Sequence, residues 1–323
     1  MRFIKSFLNL NLLAITILLQ ACSESSSDHQ DTEILAVAGS FDNIIYVNGV
    51  KRTYHLHIPP SFVSSSKSEL LIHLHGGMGN DIIARSLSGF DQISDQEGFI
   101  VVYPNAVNGH WNDGRDPVSS TVDDIGYIKT LINKISTALN IGAGQVYMSG
   151  MSNGAIFAHR FACNGSEEIS AIATVAGPMA IDIYNQCYPT EPVSVLMFHG
   201  RDDPFVLWDG GDILWSGGEI VNGGAVISVD ETLNFWSTFN GCPAVPVTSN
   251  EPDVAPFDGT LVTRIAFDGC NNQTSVVLYD IEGGGHTWPG GKSGIVLEEF
   301  GNRSYDIDAS LIIWDFFKNH TRQ

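Results

Sequence analysis

The stretch QVYMSGMSNGAIFAHRFA, residues 145–162, passes from a short apolar run into a helix-forming run through a bend that holds two glycines. Gln145 to Ser149 reads as a short buried strand and Ala155 to Ala162 as a helix. Between them stands Gly150-Met151-Ser152-Asn153-Gly154, a G-x-S-x-G pentapeptide. Alone it carries little weight in a chain with 33 glycines. A strand before it and a helix after it change that. A sharp strand-to-helix turn projects the serine hydroxyl out of the sheet and aims the first N–H groups of the helix at the space in front of it. Gly150 and Gly154 fall where such a turn leaves no room for Cβ atoms. Ser152 is therefore the candidate nucleophile.

Outward from this unit the same alternation continues in both directions. Further strands are read at Leu70 to Leu74, Phe99 to Tyr103, Ala171 to Val175, Val193 to Phe198 and Ser275 to Ile281, after an Asn48-Gly49 hairpin over Ile44 to Ile58. Helices are read at Ile82 to Glu97, Ile125 to Asn140, Asp230 to Asn240 and Asp308 to His320. Near-continuous apolar strands separated by helices predict an α/β fold, with a mostly parallel central sheet covered by helices on both faces. No internal repeat appears, and residues 40–323 read as one domain. Phe205 to Val229, rich in glycine, and Ala244 to Asp258, rich in proline, read as long surface loops.

The first 21 residues stand apart from this pattern. Arg2 and Lys5 precede the apolar run Leu10 to Leu19, which Leu19-Gln20-Ala21-Cys22 closes. That layout is a signal peptide, too short to span a bilayer comfortably. The cysteine after a small residue resembles the lipobox of bacterial lipoproteins, in which Cys22 is acylated and becomes the new N-terminus. Ser23 in place of Asp points to the outer membrane. The alternative is a plain secretory signal, with the protein periplasmic or secreted. The polar stretch Ser23 to Asp31 reads as part of a flexible tether over residues 22–39. The chain carries 36 acidic against 16 basic residues, a net charge of −20, which makes nucleic acid and anionic lipid surfaces poor partners. Membrane association is expected only through the anchor at Cys22. Four further cysteines, an even number in an exported chain, favour disulfides, and Cys163–Cys187 with Cys242–Cys270 is the preferred pairing because each pair brackets one short excursion.

In open α/β sheets the working residues gather at the C-terminal ends of strands. Those ends carry "HGGMGN" after Leu74, "SGMSNG" after Met148, "HGRDDPF" after Phe198 and "EGGGHTWPG" after Ile281. They contain, in chain order, a serine, an aspartate and a histidine, the order of the α/β-hydrolase triad. His286 is the expected general base. Of the adjacent Asp202 and Asp203, the second is chosen to orient it, because Pro204 restricts Asp203 to extended conformations. The glycine turn offers a backbone donor from Gly77 or Met78, and Asn153 a second, for an oxyanion. Trp111, Trp208, Trp215 and Trp288 are candidates to line an apolar substrate cleft. His73 and His75, two apart on a strand, raise a metallohydrolase as a rival reading. No acidic residue follows at a suitable spacing, and a core or supporting role is preferred.

Together "HLHGGMGN", "WNDGR", "GMSNGA", "TVAGP", "FHGRDDP", "NGC" and "GGGHTWPG" resemble the polyhydroxybutyrate-depolymerase-like family of α/β-hydrolases, which also holds feruloyl and acetylxylan esterases. The resemblance covers roughly residues 40 to 320. It implies that Ser152, Asp203 and His286 form the triad of a serine carboxylic-ester hydrolase that works through an acyl-enzyme, with no metal or organic cofactor. Its expected partner is an oligomeric or polymeric ester of the 3-hydroxybutyrate type, or alternatively a feruloyl or acetylxylan ester. The chain departs from many relatives at Gly77, where they carry cysteine. A noncatalytic polymer-binding lipoprotein is the reading from another class.

Overall fold

In the computed structural model, residues 30–115, 121–215, 219–292 and 298–322 are described. The first strands of the described residues are the antiparallel hairpin β1 (Gly39–Val47) and β2 (Val50–Ile58). It continues through β3 (Ser68–Leu74), α1 (Asp81–Ser88), α2 (Phe90–Glu97), β4 (Ile100–Pro104), α3 (Asp124–Leu139), β5 (Ile141–Met151), α4 (Asn153–Asn164), β6 (Ala171–Val175), α5 (Ile181–Tyr184) and β7 (Ser194–Gly200). The remainder is β8 (Gly211–Trp215), β9 (Glu219–Val226), α6 (Val229–Phe239), β10 (Val247–Asn250), β11 (Leu261–Phe267), β12 (Val276–Glu282) and α7 (Ala309–Lys318).

Among the described residues ten strands make one sheet, in the order β1-β2-β4-β3-β5-β6-β7-β12-β11-β10. From β4 to β12 every neighbouring pair is parallel, and the antiparallel pairs lie toward the two edges. Side chains of a strand alternate between faces. In β5, Val146 and Met148 therefore join a core with Leu131 and Ile135 of α3, Phe157 of α4 and Trp236 of α6, while Tyr147 between them joins a second core with Phe90 and Ile93 of α2 and Trp314 and Phe317 of α7. This is the sheet with helices on both faces that the apolar runs predict.

Several local expectations are corrected. The helix expected over Ile82 to Glu97 is two helices, because Gly89 adopts a left-handed conformation (φ 65°) and its N–H caps α1 at the Arg85 carbonyl, 2.9 Å away. The loop expected over Phe205 to Val229 contains the hairpin β8–β9. The proline-rich loop contains the edge strand β10, and β11, which pairs with it, is absent from the sequence reading. The proposed tether ends sooner than expected. Asp31 accepts a hydrogen bond from the Tyr46 N–H (2.8 Å), the Thr32 N–H donates to the Ile44 carbonyl (2.9 Å), and Ile34 packs on the core. Cys22 lies outside the described residues. Cys163, at the end of α4, is bonded to Cys187, and Cys242, after α6, to Cys270.

Candidate active site

The end of β5 and the start of α4 hold Ser152 in a conformation that L-residues rarely adopt, φ 54° and ψ −122°. Its N–H donates to the Val175 carbonyl of β6 at 2.8 Å, which fixes the turn against the neighbouring strand. Two small residues make this possible. A Cβ on Gly150 would stand 2.5 Å from the Gly154 backbone, and one on Gly154 would stand 2.5 Å from the His75 carbonyl oxygen. The turn thus stores strain that close backbone packing holds in place, and the serine side chain is left out of the helix cap.

Two other strand ends deliver the remaining groups. Asp203 follows β7 and is buried, whereas Asp202 beside it is exposed. Asp203 Oδ1 accepts from the N–H groups of Phe205 and Val206, each at 2.9 Å, and Oδ2 accepts from His286 Nδ1 at 2.7 Å. Burial alone would raise the Asp203 carboxyl. Electrostatic attraction to the His286 ring and its hydrogen bond, with His199 and the Val206 N–H, outweigh burial and hold it below the usual carboxylate range. An ionised carboxylate only accepts, so the His286 ring proton sits on Nδ1 and the lone pair on Nε2. The His286 backbone is tied to the Phe300 carbonyl at 2.7 Å, and its ring meets Phe205 edge-on at 5.4 Å. Beneath them, buried His199 directs Nε2 to the Val206 carbonyl (2.8 Å) and closes the loop that clamps Asp203.

Ser152 and His286 open onto one cavity of about 210 Å³, lined also by Gly77, Met78, Phe205, Val206, Ile213, Leu214, Glu299 and Phe300. The glycine turn after β3 faces it. Met78, at φ 58°, uses its N–H on the Gly109 carbonyl at 2.8 Å, so the donor expected from Gly77 or Met78 narrows to Gly77. Among the described residues the N–H groups of Gly77 and Asn153 have no partner. His75 shapes this turn: Nδ1 donates to the Gly76 carbonyl at 2.7 Å and Nε2 accepts from the Ala106 N–H at 3.1 Å. Both nitrogens are thereby used. His73 lies against the rings of Phe90, Tyr103 and Trp288 with Nδ1 at 2.7 Å from Ser149 Oγ. Their engagement inside the protein favours the supporting role over the metal-binding rival.

Among the described residues the expected tryptophan cleft does not form. Trp111 and Trp288 are fully buried and Trp208 nearly so. Their indole N–H groups are satisfied by the His75 carbonyl, Ser310 and Asp230 respectively, and the Trp215 side chain lies outside the described residues. The apolar wall comes instead from Phe205, just after Asp203, from Phe300, and from Ile213 and Leu214 of β8. Phe205 was within reach of sequence reasoning through its position two residues after the aspartate. The hairpin residues carried no such signal.

Buried histidines set an acid limit on this framework. Burial, with His75 adding to it, pushes His73 down to about 3 from an ordinary 6.5, and burial lowers His75 and His199 too. Below 6.5 the unfolded chain takes up protons that the folded chain refuses, so stability falls with pH between 6.5 and about 3. Thermal midpoints measured over this window should decline steadily as pH drops, and His73→Gln should flatten the decline. A flat profile in the parent protein would contradict the assignment of neutral buried imidazoles.

No family model matches the chain. It is 27% identical over 254 residues to "Putative esterase NocK" of Nocardia uniformis subsp. tsuyamanensis, covering 76% of this chain and 73% of that protein. It is 26% identical over 244 residues to feruloyl esterase B of Piromyces equi, covering 73% of this chain but only 42% of that longer protein. The solved acetyl xylan esterase from Aspergillus awamori superposes with a TM-score of 0.56 at 14% identity, over 87% of this chain and all of that one, and this likeness concerns the fold. Among the described residues no helix is long and apolar enough to cross a membrane.

Proposed function

We propose that the chain is an esterase of the α/β-hydrolase fold that cleaves carboxylic esters with Ser152 as nucleophile, His286 as general base and Asp203 as the residue that orients the base. One observation carries the reading: Asp203 fixes the His286 tautomer at 2.7 Å while His286 and Ser152 line the same cavity. Ser152 Oγ attacks the ester carbonyl as His286 Nε2 takes its proton. The N–H groups of Gly77 and Asn153 hold the oxyanion. Collapse breaks the ester C–O bond and His286 returns the proton to the departing alcohol. Water, deprotonated by the same histidine, then attacks the acyl-enzyme and frees the acid and Ser152.

The cavity is small, apolar and aromatic at two walls, Phe205 and Phe300, which favours a flat aromatic acyl group of the feruloyl kind. The relative from Piromyces equi carries a name of that class. The second reading is a 3-hydroxyalkanoate ester, favoured by the motif pair "GMSNGA" and "GGGHTWPG" and by the modest volume. Comparison of methyl ferulate, hydroxybutyrate oligomers and acetylated xylan is expected to give methyl ferulate the highest kcat/KM. Preference for the oligomers would move the assignment to the second reading. Export with acylation at Cys22 also belongs to the proposal, and two disulfides support an oxidising compartment. An N-terminal peptide from native membranes that lacks a lipid would reduce this to secretion.

A further inference from the structure

We propose that Asp113, braced by Arg115, is a positioning residue that sets the two oxyanion donors, an inference that rests on the roles given above to Gly77 and Asn153. The WNDGR stretch, Trp111 to Arg115, contributes nothing to the cavity wall, yet it lies directly behind both donors. The Asn153 side-chain amide is read on both sides by one residue: Oδ1 accepts from the Trp111 N–H at 2.8 Å and Nδ2 donates to the Trp111 carbonyl at 3.0 Å. The other Nδ2 proton goes to Asp113 Oδ2 at 2.6 Å. Three bonds leave the side chain no rotation. The backbone N–H of Asn153 is therefore fixed at the first position of α4, next to the strained serine.

The same brace reaches the second donor. Trp111 donates its indole N–H to the His75 carbonyl at 3.0 Å, and the two rings lie 5.1 Å apart. His75 in turn holds the Gly76 carbonyl, the opposite end of the same peptide unit that carries the Gly77 N–H. Asp113 closes the arrangement from below and is fully buried. Its Oδ2 takes Arg115 Nε at 2.9 Å and Nη2 at 2.7 Å, and Oδ1 takes the Arg115 N–H at 3.1 Å. Only a carboxylate can accept from Asn153 and the guanidinium fork at one oxygen and from the Arg115 N–H at the other. Asparagine at 113 would turn an NH₂ toward donors on at least one side and loosen Asn153. Both donors act on charge that develops only in the transition state, so their misplacement lowers kcat and leaves ground-state binding alone.

Removing one oxyanion donor outright costs ~10²–10³ in kcat in well-studied hydrolases, and displacing donors should cost less, on the order of 10–100-fold. Asp113→Asn is expected to lower kcat by that factor with KM nearly unchanged. A boronic acid that forms a tetrahedral adduct should lose affinity by a similar factor, while the product acid should not. Arg115→Lys keeps the charge without the fork and should shift the same two quantities in the same direction by less, which preserves the test if Asp113→Asn does not fold. Wild-type kcat and boronate affinity in a folded Asp113→Asn protein would overturn the inference, as would an equal loss of affinity for the product acid. Activity retained by Ser152→Ala would instead overturn the reading beneath it. An inactive Ser152→Ala beside an unaffected Asp113→Asn would remove only the brace.

Discussion

Ser152→Ala is expected to lower kcat for ester hydrolysis by ~10⁴-fold or more while leaving the fold unchanged. Alanine at φ 54° is no more strained than serine, and the Ser152 side chain makes no helix-capping bond whose loss would unsettle α4. Only Oγ disappears. The residue whose N–H donates to Val175 and whose carbonyl accepts from Ile156 (3.0 Å) keeps both bonds. Turnover of a chromogenic ester, measured beside circular dichroism of the same sample, separates loss of chemistry from loss of structure. A folded variant with most of its activity would remove Ser152 from the mechanism.

Asp203→Asn should be nearly as damaging, with a loss of ~10⁴-fold in kcat, the scale seen when a triad histidine is held in the wrong tautomer. The structure supplies the reason. Two backbone N–H groups, from Phe205 and Val206, point at Oδ1, so the asparagine oxygen must stay there and its NH₂ must face His286. His286 Nδ1 would then have to accept, the ring proton would move to Nε2, and the base could no longer take the serine proton. Asp202→Asn provides the contrast: that side chain is exposed, takes no part in the cavity wall, and its replacement should leave kcat within about twofold, the usual indifference of surface positions. Rate measurements on the two variants give the ranking, and equal losses or a reversed order would reassign the carboxylate.

How far the chain could be read in advance depended on whether a residue's role is local. The turn at Ser152 is local: an apolar strand, two glycines and a helix lie within eighteen residues, and the crowding at Gly150 and Gly154 follows from that order. The central parallel strands were legible for a related reason, since strands buried on both faces are written as unbroken apolar runs, as IVVYP of β4 shows. Strand β11 was missed because it lies near the sheet edge, where Thr263 and Arg264 interrupt the apolar residues. The helix break at Gly89 was missed because a glycine within an otherwise helical pattern does not announce its φ.

The tryptophans failed for another reason. A large ring with one polar atom suits a cleft and a core equally well, and the choice depends on whether an acceptor waits inside. For Trp111 it is the His75 carbonyl and for Trp288 it is Ser310, 22 residues away, and neither pairing can be read from spacing. The same limit applies to Met78. Its side chain lines the cavity, but its N–H is spent on Gly109, a residue 31 positions downstream in the turn after β4. The WNDGR motif was visible as a motif and silent as to role, because its meaning lies in three bonds to a residue some 40 positions later.

The central claim, that Ser152 is the nucleophile activated by the His286–Asp203 pair, is tested most directly by peptide mapping after reaction with a serine-directed phosphonate. The predicted result is a single adduct on the peptide that contains Ser152, formed in step with the loss of esterase activity, slowed by added ester, and absent from Ser152→Ala. An adduct on a different residue, or full esterase activity in protein whose Ser152 is completely modified, would contradict it.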